Sequence, residues 1–411
     1  MSGMRPTGRL HLGHYFGALQ NWLKMQADPE FECFFFVADW HALTTHYEDT
    51  SSIGENTLQI AMDWLSVGLD PEKSTIFIQS SVLEHAELDV LLSMITPLSW
   101  LERVPTYKEQ IENLRDRDLG TYGFLGYPLL QTADIVLYGE PKQELLVPVG
   151  EDQAPHVELS REIVRRFNVH YAVEIDPQLF DSANAALLKR LMTEVIAKTE
   201  GPAERLLRAY IAESGFGNFL EKAGKAKSFF KHRDVLQEPG VMLTETPRLP
   251  GTDGRRMAKS YGNFISLSEP IDSLRNKVRN MMTDPARVRR TDPGDPDVCP
   301  VFSYHKLFSP QPTIERVNRE CRTAEIGCVD CKKLMADNLV TWIEPIQAKR
   351  RDLESHPQRV WDILDDGSKS AQKAARKTMK RVRQAIFGWE EARKTAGTSP
   401  APNAQKVAGG D

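Results

Sequence analysis

Two short stretches of this chain carry residues suited to handling a phosphate chain. Residues 2–18 read SGMRPTGRLHLGHYFGA, a glycine- and proline-bearing loop that runs into a helix starting near Gly13. His11 and His14 stand three apart, so both imidazoles share one side of the first helical turn. A helix start presents unpaired N–H groups and a partial positive charge, which suit phosphate, and two imidazoles there can donate to phosphoryl oxygens. Gly13 would let a nucleotide approach the backbone closely. Histidines at a helix start also serve as caps or core residues, and the pattern alone does not decide between these uses. The second stretch, residues 250–263, reads PGTDGRRMAKSYGN. Its glycines at 251, 254 and 262 bracket Arg255, Arg256, Lys259 and Ser260. A mobile cationic loop of this kind can close over a triphosphate and stabilise the charge that develops as pyrophosphate leaves. The alternative is a solvated basic surface loop.

A third group is the cysteines. Of five, Cys299, Cys321, Cys328 and Cys331 crowd into one stretch, with 21, 6 and 2 residues between them. In a reducing compartment such clustering reads as a metal site before it reads as disulfides. Four thiolates suit Zn²⁺ or an iron–sulfur cluster, and free thiols remain the third reading.

Elements must position these groups. Residues 32–38 (ECFFFVA), 75–79 and 145–149 are buried-strand candidates, and 13–26, 56–67, 83–95 and 151–167 show helical patterns. Apolar strands separated by amphipathic helices predict an α/β fold, a Rossmann-like doubly wound parallel sheet with helices on both faces. Such sheets bind ligands at the carboxyl ends of their strands. A strand should precede the loop at 2–9, which leaves little chain for it. Residues 1–171 are expected to form the catalytic domain, 172–236 a helical insertion, and 237–270 the end of the catalytic domain with its mobile loop. From 271 to 390 only helical patterns remain, including 271–281, 312–321, 332–350, 357–363 and 369–387, which predict a C-terminal all-helical domain. The tail at 391–411, rich in Ala, Gly, Pro and Ser, reads as disordered. The length of 411 residues fits two or three domains. A net charge of −5 means that any nucleic acid must be held by a local basic patch. No apolar run is long enough for a membrane span, and no signal segment opens the chain, so a cytoplasmic protein is expected.

The histidine pair behind Pro-Thr-Gly, together with the downstream MAKSYGN loop, resembles the two signatures of class I aminoacyl-tRNA synthetases. FFFVADWHALTTHY (34–47), GYPLLQTADIVLY (126–138) and VPVGEDQAPHVELSREIVRRFN (147–168) resemble the tryptophanyl-tRNA synthetases in particular. The resemblance covers residues 1 to about 171 and 236 to about 387; the insertion is absent from compact members. It implies activation of L-tryptophan by ATP with Mg²⁺, followed by transfer to tRNA(Trp), in a homodimer with no membrane association. His11, His14 and Lys259 match the catalytic signature residues. Arg5, Pro6 and Thr7 match the loop over the nucleotide, and Gly13 the helix start. Gly150, Glu151 and Asp152 match a second nucleotide-contacting segment, and Leu249 a backbone contact to adenine. Arg256, Met257, Ala258, Lys259 and Ser260 match the mobile lysine–methionine–serine–lysine–serine loop. Asp134 matches the acceptor of the indole N–H, and His41, Tyr127, Gln131, Val147, Val149 and Gln153 match other tryptophan-pocket positions.

The chain departs from the family pattern at Arg256, which replaces a lysine, and at Ala258, which replaces a serine. Arg256 keeps the charge with a different donor geometry, and Ala258 removes a hydroxyl. Some members carry a nearly identical cysteine pattern that binds a 4Fe–4S cluster, with the first gap one residue longer. In 369–387 the basic residues Lys369, Lys373, Arg376, Lys380 and Arg383 fall along one face, which is either a solvated helix face or a contact to the tRNA backbone. Two rivals stand beside the tryptophan enzyme: a tyrosyl-tRNA synthetase, and a non-catalytic paralogue that senses tryptophan or nucleotide.

Overall fold

Every residue of β2 (Cys33–Val37) is buried, and its side chains alternate between two separate cores. Cys33, Phe35 and Val37 enter one core; Phe34 and Phe36 enter the other. That is the signature of a strand covered on both faces. The structure, a computed structural model, describes residues 1–104, 120–150, 153–197, 200–233, 235–243, 249–390 and 393.

β2 lies between two parallel neighbours, β1 (Ser2–Met4) and β3 (Ser74–Ile78), with Ser2 opposite Phe35 and Cys33 opposite Ser74. The first strand is therefore made by residues expected to be loop. β4 (Leu145–Val149) pairs in parallel with a late strand, Pro239–Leu243. The Met1 amino group donates to the Leu146 carbonyl at 3.2 Å, which sets the start of β1 beside β4. The chain thus leaves β1 toward β2 on one side and β4 on the other. Such a switch point opens a crevice at the carboxyl ends of the strands.

Helices cover both faces. On the first lie α1 (Leu12–His14), continued by a π turn (Tyr15–Leu19) into α2 (Gln20–Ala27), and α4 (Ile53–Val67), with α3 (Asp39–His46) crossing the strand ends. On the second lie α5 (Glu84–Ser93), α6 (Tyr122–Val136) and α7 (Ala154–Phe167). Residues 172–236 are not purely helical. β5 (Val173–Ile175) and β6 (Phe230–His232) pair antiparallel at the neck, and α8 (Ala203–Ser214) and α9 (Phe216–Ala223) close a separate core around Leu179, Leu207, Ile211 and Phe219.

The C-terminal helices are α10 (Ile271–Arg279), α11 (Pro300–Phe308), α12 (Gln311–Arg322), α13 (Cys328–Ser355) and α14 (Pro357–Phe387). They share the first core with the sheet: Phe302, Leu339 and Ile343 join Trp22, Phe35 and Trp64. The two helices expected at 357–363 and 369–387 are one. Gly367-Ser368 reads as a break, yet it is where α14 crosses the edge strand β3. A Cβ on Gly367 would sit 1.8 Å from the Ile76 carbonyl oxygen. Val360 and Leu364 occupy the first core, Ala371, Ala375 and Met379 the second. The helix covers an edge that would otherwise offer free backbone groups. Among the described residues no helix is long and apolar enough to cross a membrane.

Candidate active site

A cavity of about 420 Å³ opens at the carboxyl ends of β1, β2 and β4. All seven residues expected to hold tryptophan line it: His41, Tyr127, Gln131, Asp134, Val147, Val149 and Gln153. Arg5 and Gly150, from the expected nucleotide set, line it too. α6 presents Tyr127, Gln131 and Asp134 on one face because they are spaced four and then three apart. Its start is fixed by Thr121, whose hydroxyl accepts from the Phe124 N–H at 3.2 Å.

Asp134 is 2% exposed. Its Oδ1 accepts from Gln79 Nε2 at 2.7 Å and pairs with His85 Nδ1 at 2.7 Å; its Oδ2 pairs with His41 Nε2 at 2.8 Å. His85 is held in turn by the Tyr138 hydroxyl on Nε2 at 2.8 Å. Burial alone would push this carboxyl up, but the hydrogen bonds from His41 and His85 outweigh it and hold the group at about 2. A carboxylate oxygen accepts about two hydrogen bonds, so Oδ1 is filled and Oδ2 keeps one acceptor position. That oxygen is on the cavity side, since its partner His41 lines the cavity and Gln79 and His85 do not. His85 and Gln79 escaped the sequence reading: a lone histidine or glutamine near a helix start carries no periodicity that marks it.

The two candidate phosphate segments meet. Leu12 N–H donates to the Ile265 carbonyl at 3.0 Å and Leu267 N–H to the Leu10 carbonyl at 2.9 Å, with an antiparallel bridge from His11 to Ser266 between them. The Lys259 ammonium donates to the Thr7 carbonyl at 2.7 Å. The His11 and His14 rings lie 3.7 Å apart, and the His11 N–H donates to His14 Nδ1 at 3.2 Å. Burial, with Lys259 beside them, lowers His11 to about 4, while burial, His11 and Lys259 lower His14 to about 3. Both rings are neutral at neutral pH. His11 Nδ1 is buried with no hydrogen-bond partner, a vacant polar position in this pair. Gly13 does more than leave room for a nucleotide. A Cβ there would lie 2.9 Å from the His11 ring, so the glycine makes room for the imidazole. The histidine pair does not line the cavity; Gly17 and Ala18, one turn on, do.

The cationic loop is organised by a residue that was not singled out, Asn263. Its Oδ1 accepts from the Ala258 N–H at 2.9 Å, and its Nδ2 donates to Asp253 at 2.7 Å and the Arg256 carbonyl at 3.0 Å. Arg255 pairs with Asp253 and lies over the Tyr261 ring at 4.6 Å. Met257, Leu249 and Pro6 are buried; Arg256 and Ser260 are exposed. Ala258 is held in the loop through its backbone N–H. Glu151 and Asp152 lie outside the described residues.

Cys299, Cys321, Cys328 and Cys331 are close enough that burial and the three other thiols push Cys331 up to about 12. Even so, among the described residues no group of three His, Cys, Asp or Glu is arranged to hold a metal ion. The basic face of α14 is partly spent on docking. Arg376 pairs with Glu84 at 3.0 Å and Arg383 holds Glu87 through two nitrogens, both on α5. Lys369 pairs with Asp366 at 2.8 Å within its own helix.

The description "tRNA synthetases class I (W and Y)" matches residues 1–201 and 217–343. A tryptophan–tRNA ligase of Ralstonia nicotianae is 49% identical over 404 residues, covering 94% of this chain and 97% of that one. That of Thermotoga maritima is 45% identical over 387 residues, covering 94% and 98%. The structure of the Campylobacter jejuni tryptophanyl-tRNA synthetase complexed with ADP and tryptophan superposes with a TM-score of 0.70 at 26% identity, covering 93% of this chain and 98% of that one.

Proposed function

The chain belongs to the class I tRNA synthetases of the tryptophan and tyrosine group, and from that premise we propose that it joins L-tryptophan to tRNA(Trp) using ATP. The observation that carries the choice of amino acid is Asp134, an ionised carboxylate with one acceptor position left toward the cavity. An indole N–H fills that position. A side chain without a donor would leave it unpaired, which is costly in a buried site. Tyr127, Gln131 and Gln153 are the polar groups that orient the amino acid, with His41, Val147 and Val149 around the ring.

In the first step a carboxylate oxygen of tryptophan bonds to the α-phosphorus of ATP. The bond from that phosphorus to the bridging oxygen breaks, and pyrophosphate leaves. In the second step a ribose hydroxyl of the terminal adenosine attacks the tryptophanyl carbonyl, the bond from that carbon to the phosphate oxygen breaks, and AMP leaves with the hydroxyl proton passed to its phosphate. Neither step needs a general base in the activation site; positioning and charge stabilisation carry the first. Mg²⁺ bound to the triphosphate supplies neutralising charge. Neutral His11 and His14 donate to phosphate oxygens, and Lys259, now satisfied by the Thr7 carbonyl, turns to the pyrophosphate. Arg5, Pro6, Thr7, Gly13, Gly150, Glu151, Asp152, Leu249 and residues 256–260 make up the rest of the nucleotide site in this reading.

Pyrophosphate exchange into ATP tests it. The expected result is exchange driven by tryptophan and not by tyrosine. Exchange driven by tyrosine would move the chain to the tyrosine enzymes, and none with either would make it a non-catalytic paralogue. The reading places the enzyme in the cytoplasm, where tRNA is charged, and as a homodimer. An apolar row on and beside α5, Leu83, Val90, Met94 and Leu98, is exposed and supports the dimer; a monomeric mass by light scattering would overturn it. For the four cysteines the proposal rests on thiol chemistry alone. Thiolates crowded together need a shared cation, and a 4Fe–4S cluster or Zn²⁺ would supply it. Iron, sulfide and zinc analysis of anaerobically purified protein checks this, and metal-free protein of full activity would remove it.

A further inference from the structure

The bridge between residues 10–12 and 265–267 is gripped from the side by one helix of the C-terminal region. Arg350, on α13, is 2% exposed and pairs with Asp63 of α4, which is wholly buried. The other oxygen of Asp63 accepts the Leu10 N–H at 2.7 Å. Leu10 directly precedes His11, and its carbonyl accepts from Leu267 N–H and the Ser266 hydroxyl. One turn earlier on α13, Gln347 donates to the carbonyls of Leu267 at 3.2 Å and Glu269 at 2.7 Å. So two residues three apart on one helix hold both chains of the bridge, Gln347 directly and Arg350 through Asp63.

We propose that Arg350 and Gln347 are positioning residues for the ATP site, fixing the segment that bears His11 against the segment that follows Lys259. Stability alone does not account for the pair. A buried ion pair gains little over apolar residues of similar volume, because desolvation offsets the attraction. An apolar pair could not satisfy the buried Leu10 N–H, and that bond sets where His11 sits. Positioning of this kind is sensitive to shifts of about 1 Å, so a residue that holds the backbone next to His11 acts on the nucleotide site before the tryptophan cavity. The tryptophan cavity, formed by α6 and the strand ends, touches neither residue.

The inference rests on the ATP reading above, so its test measures binding apart from charging. Affinities for Mg²⁺ β,γ-methylene-ATP and for tryptophan are measured separately by calorimetry on the full chain. The proteins are wild type, Arg350→Met, Arg350→Lys and Gln347→Leu, each with a thermal melt. Arg350→Met and Gln347→Leu are expected to weaken the nucleotide analogue about tenfold and to change tryptophan binding less than about twofold. Arg350→Lys regains part of the loss. If Arg350→Met does not fold, Gln347→Leu and Arg350→Lys carry the same comparison. Variants that bind both ligands as wild type does, or lose both together with a lowered melting temperature, overturn the inference. A wild type that binds the analogue but gives no tryptophan-driven exchange refutes the charging reaction and leaves the positioning role standing; one that binds no analogue refutes both.

Discussion

Asp134 is a buried anion kept ionised by neighbours, and that state has measurable consequences. Replacing it with alanine removes a charge-assisted hydrogen bond to the indole and takes one partner each from His41 Nε2, His85 Nδ1 and Gln79 Nε2, so kcat/KM for tryptophan should fall by about 10²–10³. Steady-state exchange kinetics at varied tryptophan check this; a loss below about fivefold would argue against the contact. Its carboxyl, near 2, lies below the ordinary aspartate value of 3.8. A depressed acid contributes stability that is complete above its unfolded pKa and is lost as pH falls toward the folded one. The contribution is therefore about 2 kcal/mol above pH 4 and disappears toward pH 2. The histidine pair obeys the same sign. With His11 near 4 and His14 near 3, below 6.5 in the unfolded chain, their share of stability is present above pH 6.5 and drains away as pH falls to 3–4. Imidazole NMR titration of the ligand-free protein should show both rings neutral at pH 5.5; titration near 6.5 would contradict their burial against Lys259. At this scale the sequence was most readable where residues form a local string. The seven cavity residues and the two phosphate segments were named from such strings, whereas His85 and Gln79 act through a partner 49 and 55 residues away, and Asn263 through a folded loop. At Gly13 only the folded positions reveal that an imidazole occupies the space its missing side chain leaves.

Among the elements, α14 is the most demanding. It lies across the edge strand β3 at a contact so close that Gly367 admits no side chain, and the Ser368 hydroxyl there accepts the Ile78 N–H at 3.4 Å. Gly367→Ala should gain slightly in helix propensity yet destabilise the protein by about 3 kcal/mol or more, since the clash is with backbone that cannot rotate away. Urea denaturation checks this, and a stabilised variant would mean the helix is not seated as described. Glycine followed by serine looks like a break when helix propensity is the only guide; long-range packing reversed that reading. The strands behaved otherwise. Their apolar runs are long enough, and free enough of charge, that burial on both faces followed from local composition, and 145–149 was placed without error. The short pair β5 and β6 was missed, since three residues give no alternation to count.

For the molecule as a whole, the central question is which parts the reaction needs. Residues 172–236 have their own apolar core, and Ile175 and Phe230 face each other across the neck. Replacing 176–229 by a two-residue Asn-Gly turn would close β5 and β6 as a hairpin. The shortened protein should activate tryptophan within about threefold of the parent rate, because no residue of the cavity comes from the excised part. Loss of exchange in a folded, shortened protein would make that stretch part of the machinery. The C-terminal helices are different: their side chains fill the same core as the sheet, so they cannot be removed without opening it.

A crystal structure of the enzyme with tryptophan and an ATP analogue tests the whole account most directly. The account predicts the indole nitrogen within hydrogen-bond distance of Asp134 Oδ2, and the triphosphate lying between the His11–His14 pair and Lys259. Tryptophan seated elsewhere, or a triphosphate bound away from both segments, would contradict it.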